Sequence, residues 1–238
     1  YTITVYSPPI LLINLTGQTK LGYKDLTPIS MLINDFGAYA VPKDSKFNNM
    51  KDVMDAIKKD PKSVKVGGTS SAGSMDHIQF LQAARAAGVK NLKEIPYMSL
   101  QEGSMASLMG GHIDLLSTGM AETVGALEAG DIKVLAVSSP NRIKSGPLSK
   151  VPTLKENGID TVFINWRGIF GTPGMGKAER DYMANALKKM AGTKEWKDVC
   201  MKNGWEPVYM DAGQFTKFLD KTNDEYKVIL GEIGFLKQ

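Results

Sequence analysis

Cysteine and histidine are scarce in this chain of 238 residues: one cysteine, Cys200, and two histidines, His77 and His112. A single cysteine excludes an internal disulfide. In EWKDVCMKNG it stands with Trp196 and Val199 at helical spacing, which reads as a core position rather than a redox centre. Two histidines without ligand spacing do not make a zinc site. No apolar run reaches the ~18 residues of a membrane helix. Neither sign of charge dominates, with 29 basic and 25 acidic residues and a net charge of +4. The excess is spread along the chain, which argues against nucleic acid as a partner and reads as a solvated surface; its lysines could also steer small anions. The chain opens at YTITVYSPP with no methionine, charged n-region or apolar h-region, and we expect the natural protein to extend upstream.

What is present is a full complement of core residues, with 42% apolar, enough to exclude disorder. Strand and helix signals alternate, predicting an α/β fold with mostly parallel sheets. Tyr1–Tyr6 and AYAVP read as strands. SKFNNMKDVMDAIKKDP places Met50, Val53, Met54 and Ile57 on one helical face and stops at Pro61. VKV is a strand, residues 74–88 a helix ending at Gly88, and KEIPY a strand. SLQE reads as a capping box, Ser99 capping and Glu102 reaching back, ahead of a helix to Gly110. IDLLS, MAETVGALEAG and KVLAVSS continue the alternation, and PNRIKSGPLSKVPTLKENG reads as loop. Three helical patterns close the chain, the last with Phe215, Phe218, Leu219, Tyr226 and Ile229 on one face. Residues 41–165 hold several βα units. Residues 1–40, read as one strand and a long loop, and 166–238, read as helices without a sheet, cannot bury their faces separately. They are expected to pair as a discontinuous lobe, so that the chain crosses twice and makes a hinged clamshell.

The segment GGTSSAGSMDH carries the candidate chemistry. It fails three motifs. A hydrolase elbow needs Gly-x-Ser-x-Gly, and Thr69 stands where the first glycine should be. A phosphate loop needs lysine where Ser74 stands, and G-x-G-x-x-G is absent. What remains is a helix start. Gly67 and Gly68 allow a sharp turn, Ser70, Ser71 and Ser74 offer hydroxyls, and the amides of Ala72–Asp76 are expected to be free. A helix N-terminus favours an anion by ~0.3–1 kcal/mol. Three or four charge-assisted hydrogen bonds, at ~1.5–3 kcal/mol each, would sustain a micromolar carboxylate complex of ~8 kcal/mol. An ordinary capped βα turn, with Ser74 as N-cap, stands beside this reading. LLSTGMAET offers a second strand end at Thr118, Gly119 and Met120, and Ser7 a third. Trp166 either walls a cleft or fills a core. His77 reads as a satisfied helical histidine.

In order along the chain, YTITVYSPP, DLTPIS, VPKDSKFNNMKDVMDAIKKDP, GTSSAGSMDH, IPYMSLQEGSMASLMGGHIDLL, GALEAGDIKVLAVSSPNR, VPTLKENGID and NWRGIFGTPGM resemble the solute-binding receptors of tripartite tricarboxylate transporters, the Bug receptors. The resemblance covers nearly the whole chain. It implies a two-lobed Venus-flytrap fold of the type II periplasmic-binding-protein kind. It implies an extracytoplasmic protein, periplasmic or membrane-anchored, that needs no cofactor or metal and catalyses nothing. Such a receptor carries a carboxylate-bearing solute, a di- or tricarboxylate, to membrane permease subunits, and we expect a monomer. By resemblance, Ser70, Ser71, Ala72, Gly73 and Ser74 form one carboxylate loop, with Ser7 and Thr118–Met120 lining the rest. The family's other carboxylate loop lies upstream of anything matching YTITVYS, a deficit of ~60 residues at ~30 per unit. The first lobe is therefore expected to be incomplete at its N-terminus, with Tyr1–Tyr6 in a sheet lacking neighbours and apolar surface exposed. The alternatives are a serine-dependent hydrolase on an α/β scaffold, using Ser71 or Ser74, and the ligand-binding domain of a transcription factor, which the absence of a helix-turn-helix disfavours.

Overall fold

The computed structural model describes residues 2–144 and 146–237. Tyr1 of the expected first strand, Ser145 of the expected loop and Gln238 lie outside the described residues. Along the chain run β1 (Ile3–Tyr6), α1 (Pro9–Leu15), β2 (Thr27–Asn34), β3 (Gly37–Pro42), α2 (Met50–Lys59), β4 (Val66–Gly68), α3 (Met75–Ala86) and β5 (Tyr97–Ser99). There follow α4 (Ser104–Met109), β6 (Leu115–Gly119), α5 (Val124–Glu128), β7 (Ile132–Val137), β8 (Arg167–Gly171), α6 (Lys177–Gly192), α7 (Lys194–Lys202), β9 (Glu206–Met210) and α8 (Ala212–Glu232).

Two compact units divide the chain. One comprises Tyr1–Asp35, Asn165–Gly231 and Phe235–Gln238, the other Phe36–Ile164 with Glu232–Gly234. The first divide falls at Asp35/Phe36 rather than after Ala40, because Gly37–Pro42 is bonded between β6 and β7 as part of the second unit's sheet.

The first unit is built on a four-stranded sheet in the order β1-β8-β2-β9. Each pairing is antiparallel, so the expectation of mostly parallel sheets is corrected here. The expectation that residues 1–40 hold one strand and a long loop is corrected too, since β2 and α1 lie within them. Likewise 166–238 is not helices alone, because β8 and β9 belong to it. β2 escapes alternation because it is buried from Ile29 to Ile33 and is bulged at two points against β8. The face predicted for α8 is the one it buries: Phe215, Leu219, Tyr226 and Ile229 are in the core. Phe215 meets Trp166 edge-on with ring centroids 5.5 Å apart, the geometry aromatic quadrupoles favour. Gly168 makes room for it: a Cβ there would lie 2.2 Å from the Phe215 ring. At the edge, β1 pairs only with β8 among the described residues, and Ile3 and Val5 remain exposed.

The second unit has a five-stranded sheet in the order β5-β4-β6-β3-β7. Adjacent strands pair in parallel only among β5, β4 and β6; β3 runs antiparallel to both its neighbours, so β7 points the same way as those three. Met50, Val53, Met54 and Ile57 of α2 are buried as their spacing predicts, and Asn49 caps the helix by accepting from the Asp52 amide. Two local expectations fail. Lys93 and Glu94 lie in a 3-10 turn, and β5 starts only at Tyr97. The Ser99–Glu102 capping box does not form, because Ser99 is held in β5 opposite Gly68 and α4 starts behind Gly103, whose φ of 98° needs glycine.

Candidate functional site

Because β5, β4 and β6 are parallel, the loops that follow them leave one edge of the sheet, the edge where α/β proteins place ligands. Thr69 from the first loop, Ser99–Ser104 from the second and Glu122 from the third line an open depression of about 920 Å³. Its only charged lining residues are the acids Glu102 and Glu122. Any anion bound here is therefore held by dipoles rather than by a lysine or arginine of this lining.

The first loop is fixed from α3. The Asp76 carboxylate, 1% exposed, accepts from the Thr69 hydroxyl at 2.8 Å and from the Ser70 amide at 2.9 Å. Its own amide donates back to Ser70 Oγ at 2.9 Å. A carboxylate in the first helical turn is also favoured by the helix dipole. At the far end of the loop the Gly73 amide donates to His77 Nδ1 at 2.9 Å. Between these anchors Ser71–Ser74 closes a β-turn, Ser74 N to Ser71 O, 2.9 Å. Gly73 has φ 78° and Ala72 is not in the left-handed region, which is the type II pattern and the reason for glycine at that position.

Below the loop, α3 is seated by directional bonds. Ser117 Oγ of β6 donates to the Asp76 carbonyl at 2.9 Å, and Gln79 Nε2 donates to Ser117 Oγ and the Thr118 carbonyl. Tyr97 of β5 donates its hydroxyl to the Ser70 carbonyl at 2.9 Å and stacks on His77 with centroids 4.2 Å apart. Burial pushes the His77 pKa down to about 4, so the ring is neutral and Nδ1 is free to accept. Burial, reinforced by the Asp76 charge, pushes the Tyr97 phenol up, keeping it a donor.

This geometry corrects the expected roles one residue at a time. Gly67 and Gly68 do not turn the chain: they are paired residues of β4, and they are glycine because of close packing. A Cβ on Gly68 would lie 2.4 Å from Tyr97 Oη and 2.6 Å from Asp76 Cβ. Of the five amides expected free, those of Gly73, Ser74 and Asp76 bond within the loop and helix start. Ala72 and Met75 remain, and Ser71 adds a third amide without a partner among the described residues. Ser74 occupies the N-cap position but its side chain caps nothing. The Ser71 and Ala72 positions are exposed.

Thr118 is fully buried and its hydroxyl bonds the Glu122 carboxylate, while Met120 lies in the core; the Gly119 Cα faces Glu122 Oε1. Trp166, expected as a cleft wall or a core residue, is fully buried against Phe170, Phe215 and Phe218 in the first unit. Ser7, half-buried between β1 and α1 in that unit, gives its carbonyl to the Ile10 amide. Sequence reading missed the role of Asp76, for which an acid in the first turn of α3 was the signal. His77 is the satisfied helical histidine expected. Its Nδ1 is engaged by a backbone amide, so that nitrogen cannot act as base toward Ser71 or Ser74.

Amides and hydroxyls presented at a sheet edge are groups suited to holding an anion. The chain belongs to the tripartite tricarboxylate transporter family receptors (TctC), whose family profile matches residues 1–235. It is similar to the UPF0065 protein in gbd 5'region of Cupriavidus necator, 27% identical over 243 residues, covering 100% of this chain and 71% of that protein. Among solved structures, a TctC solute binding protein from Polaromonas is 26% identical, with a TM-score of 0.77 over 98% of this chain and 78% of its own. An R. palustris protein solved with adipate shares the fold at 20% identity, with a TM-score of 0.79 over 98% and 78% of the two chains. The fold is that of the type II periplasmic binding proteins, and the chain is an extracytoplasmic transport receptor, not an enzyme. No helix among the described residues is long and apolar enough to cross a membrane.

Proposed function

We propose that this receptor captures a small di- or tricarboxylate at the Ser70–Ser74 loop and delivers it, as a monomer, to the permease subunits of a tripartite transporter. The observation that carries the reading is the set of unpartnered amides at Ser71, Ala72 and Met75, beside the free hydroxyls of Ser71 and Ser74. Three charge-assisted bonds at ~1.5–3 kcal/mol each span the ~8 kcal/mol of a micromolar complex. The adipate bound by the R. palustris protein of the same fold agrees with a dicarboxylate.

The test is Ala72→Pro. Ala72 is the second residue of a type II turn, where proline is at home, so the change deletes one N–H and leaves the turn intact. Calorimetry with adipate, succinate, malate and citrate, after a melting-shift screen of the same panel, should show an affinity loss of about tenfold or more. A wild-type chain that binds none of the panel, or an Ala72→Pro variant with unchanged affinity, defeats the reading.

A further inference from the structure

We propose that His77 is a positioning residue for the ligand, acting through Gly73: its neutral ring takes up one loop amide and so decides which amides are left for the solute. The inference rests on the carboxylate-binding reading of the loop. His77 is 7% exposed, and its Nδ1 accepts the buried Gly73 N–H at 2.9 Å. The ring is stacked on Tyr97 at 4.2 Å and 24°, and the Tyr97 hydroxyl holds the Ser70 carbonyl. One aromatic pair therefore grips the loop on both sides of Ser71 and Ala72, at the carbonyl of Ser70 and the amide of Gly73. Asp76 doubles the grip on the Ser70 side. The two residues between the grips, Ser71 and Ala72, are the exposed ones with unpartnered amides.

The chemistry of histidine suits this role. The Gly73 amide needs an acceptor, and a carboxylate there would set a second negative charge under an anion site. A neutral imidazole, kept neutral by its burial, accepts without repelling. Tyr97 in turn fixes the ring plane, so Nδ1 rather than a rotated edge meets the amide.

The geometry gives a conservative rescue. Asparagine carries its oxygen on the same atom, Cγ, that bears Nδ1 in histidine; glutamine carries it one atom further out. Amide hydrogen exchange at Gly73 is measured by NMR in the full chain and in His77→Asn, His77→Gln and His77→Leu, with adipate affinity by calorimetry well below each melting point. We expect His77→Asn to stay within about threefold of wild type in both readings, and His77→Gln and His77→Leu to lose about tenfold or more in both. Equal behaviour of the asparagine and leucine variants in either reading overturns the proposal, because a merely structural histidine would not single out one oxygen position. Should the wild-type chain bind no carboxylate, the receptor reading fails on its own, and exchange at Gly73, which needs no ligand, still decides whether His77 holds the turn.

Discussion

Gly68→Ala concentrates much of the physics of the site into one methyl group. The added Cβ would lie 2.4 Å from Tyr97 Oη, 2.6 Å from Asp76 Cβ and 3.0 Å from the Ser117 carbonyl oxygen. The phenol can swing away, but only by giving up its hydrogen bond to Ser70. Asp76 Cβ is rooted in α3 and the Ser117 carbonyl in β6, so the start of the helix must move off the sheet. Overpacking of this kind costs about 1–3 kcal/mol, and the lost hydrogen bond adds about 1 kcal/mol. The melting temperature should fall by roughly 5–15 °C, at about 2–4 °C per kcal/mol for a chain of this size. Differential scanning calorimetry reads this directly. Tyr97→Phe removes the nearest clashing atom, so the alanine penalty should shrink by about 1 kcal/mol in that background. Gly125→Ala is the control: it lies in α5 with no atom within 4 Å of its added Cβ, and it should stabilise by about 0.4–1 kcal/mol. If Gly68→Ala melts within about 1 °C of the parent, or moves in the same direction as Gly125→Ala, close packing of β4 against α3 and Tyr97 is not what requires glycine at position 68.

Two neighbouring serines should behave differently in melting experiments. Ser70→Ala removes the acceptor of the Asp76 amide and should cost about 0.5–2 kcal/mol; Ser71→Ala removes an exposed hydroxyl and should change stability by no more than about 0.5 kcal/mol. His77 supplies a pH signature. Its folded pKa of about 4 lies below the ~6.5 of an unfolded histidine, so the unfolded state binds the proton first. Stability is lost as pH falls from ~6.5 towards 4 and the loss levels off below that, a total of about 3 kcal/mol. Melting curves across that range should be flatter for His77→Asn than for wild type, and parallel curves would contradict the buried neutral ring.

The βα run from Val41 onward was legible because its helices are amphipathic or clearly punctuated and its strands are short β-branched runs. β2 was not, because Pro28, Ser30 and Asn34 break its pattern and two bulges shift its register. The false capping box shows the limit of local motifs: Ser99 and Glu102 have the spacing, but pairing with β4 claims Ser99 first. At the site, the loop could be found from its small polar residues before a helix. The choice of which amides stay open could not, since it depends on Asp76, His77 and Tyr97, brought to the loop by α3 and β5.

The seat of α3 carries a lesson for anyone reshaping this receptor. A greasy interface lets a helix slide by fractions of an ångström with little penalty, so neighbouring changes can be absorbed. This one is keyed by Ser117, Gln79 and Tyr97, and a single altered tooth unseats the lock. New solute preferences are better sought at Gln101 and Glu102, whose exposed side chains edge the depression and owe nothing to the lock.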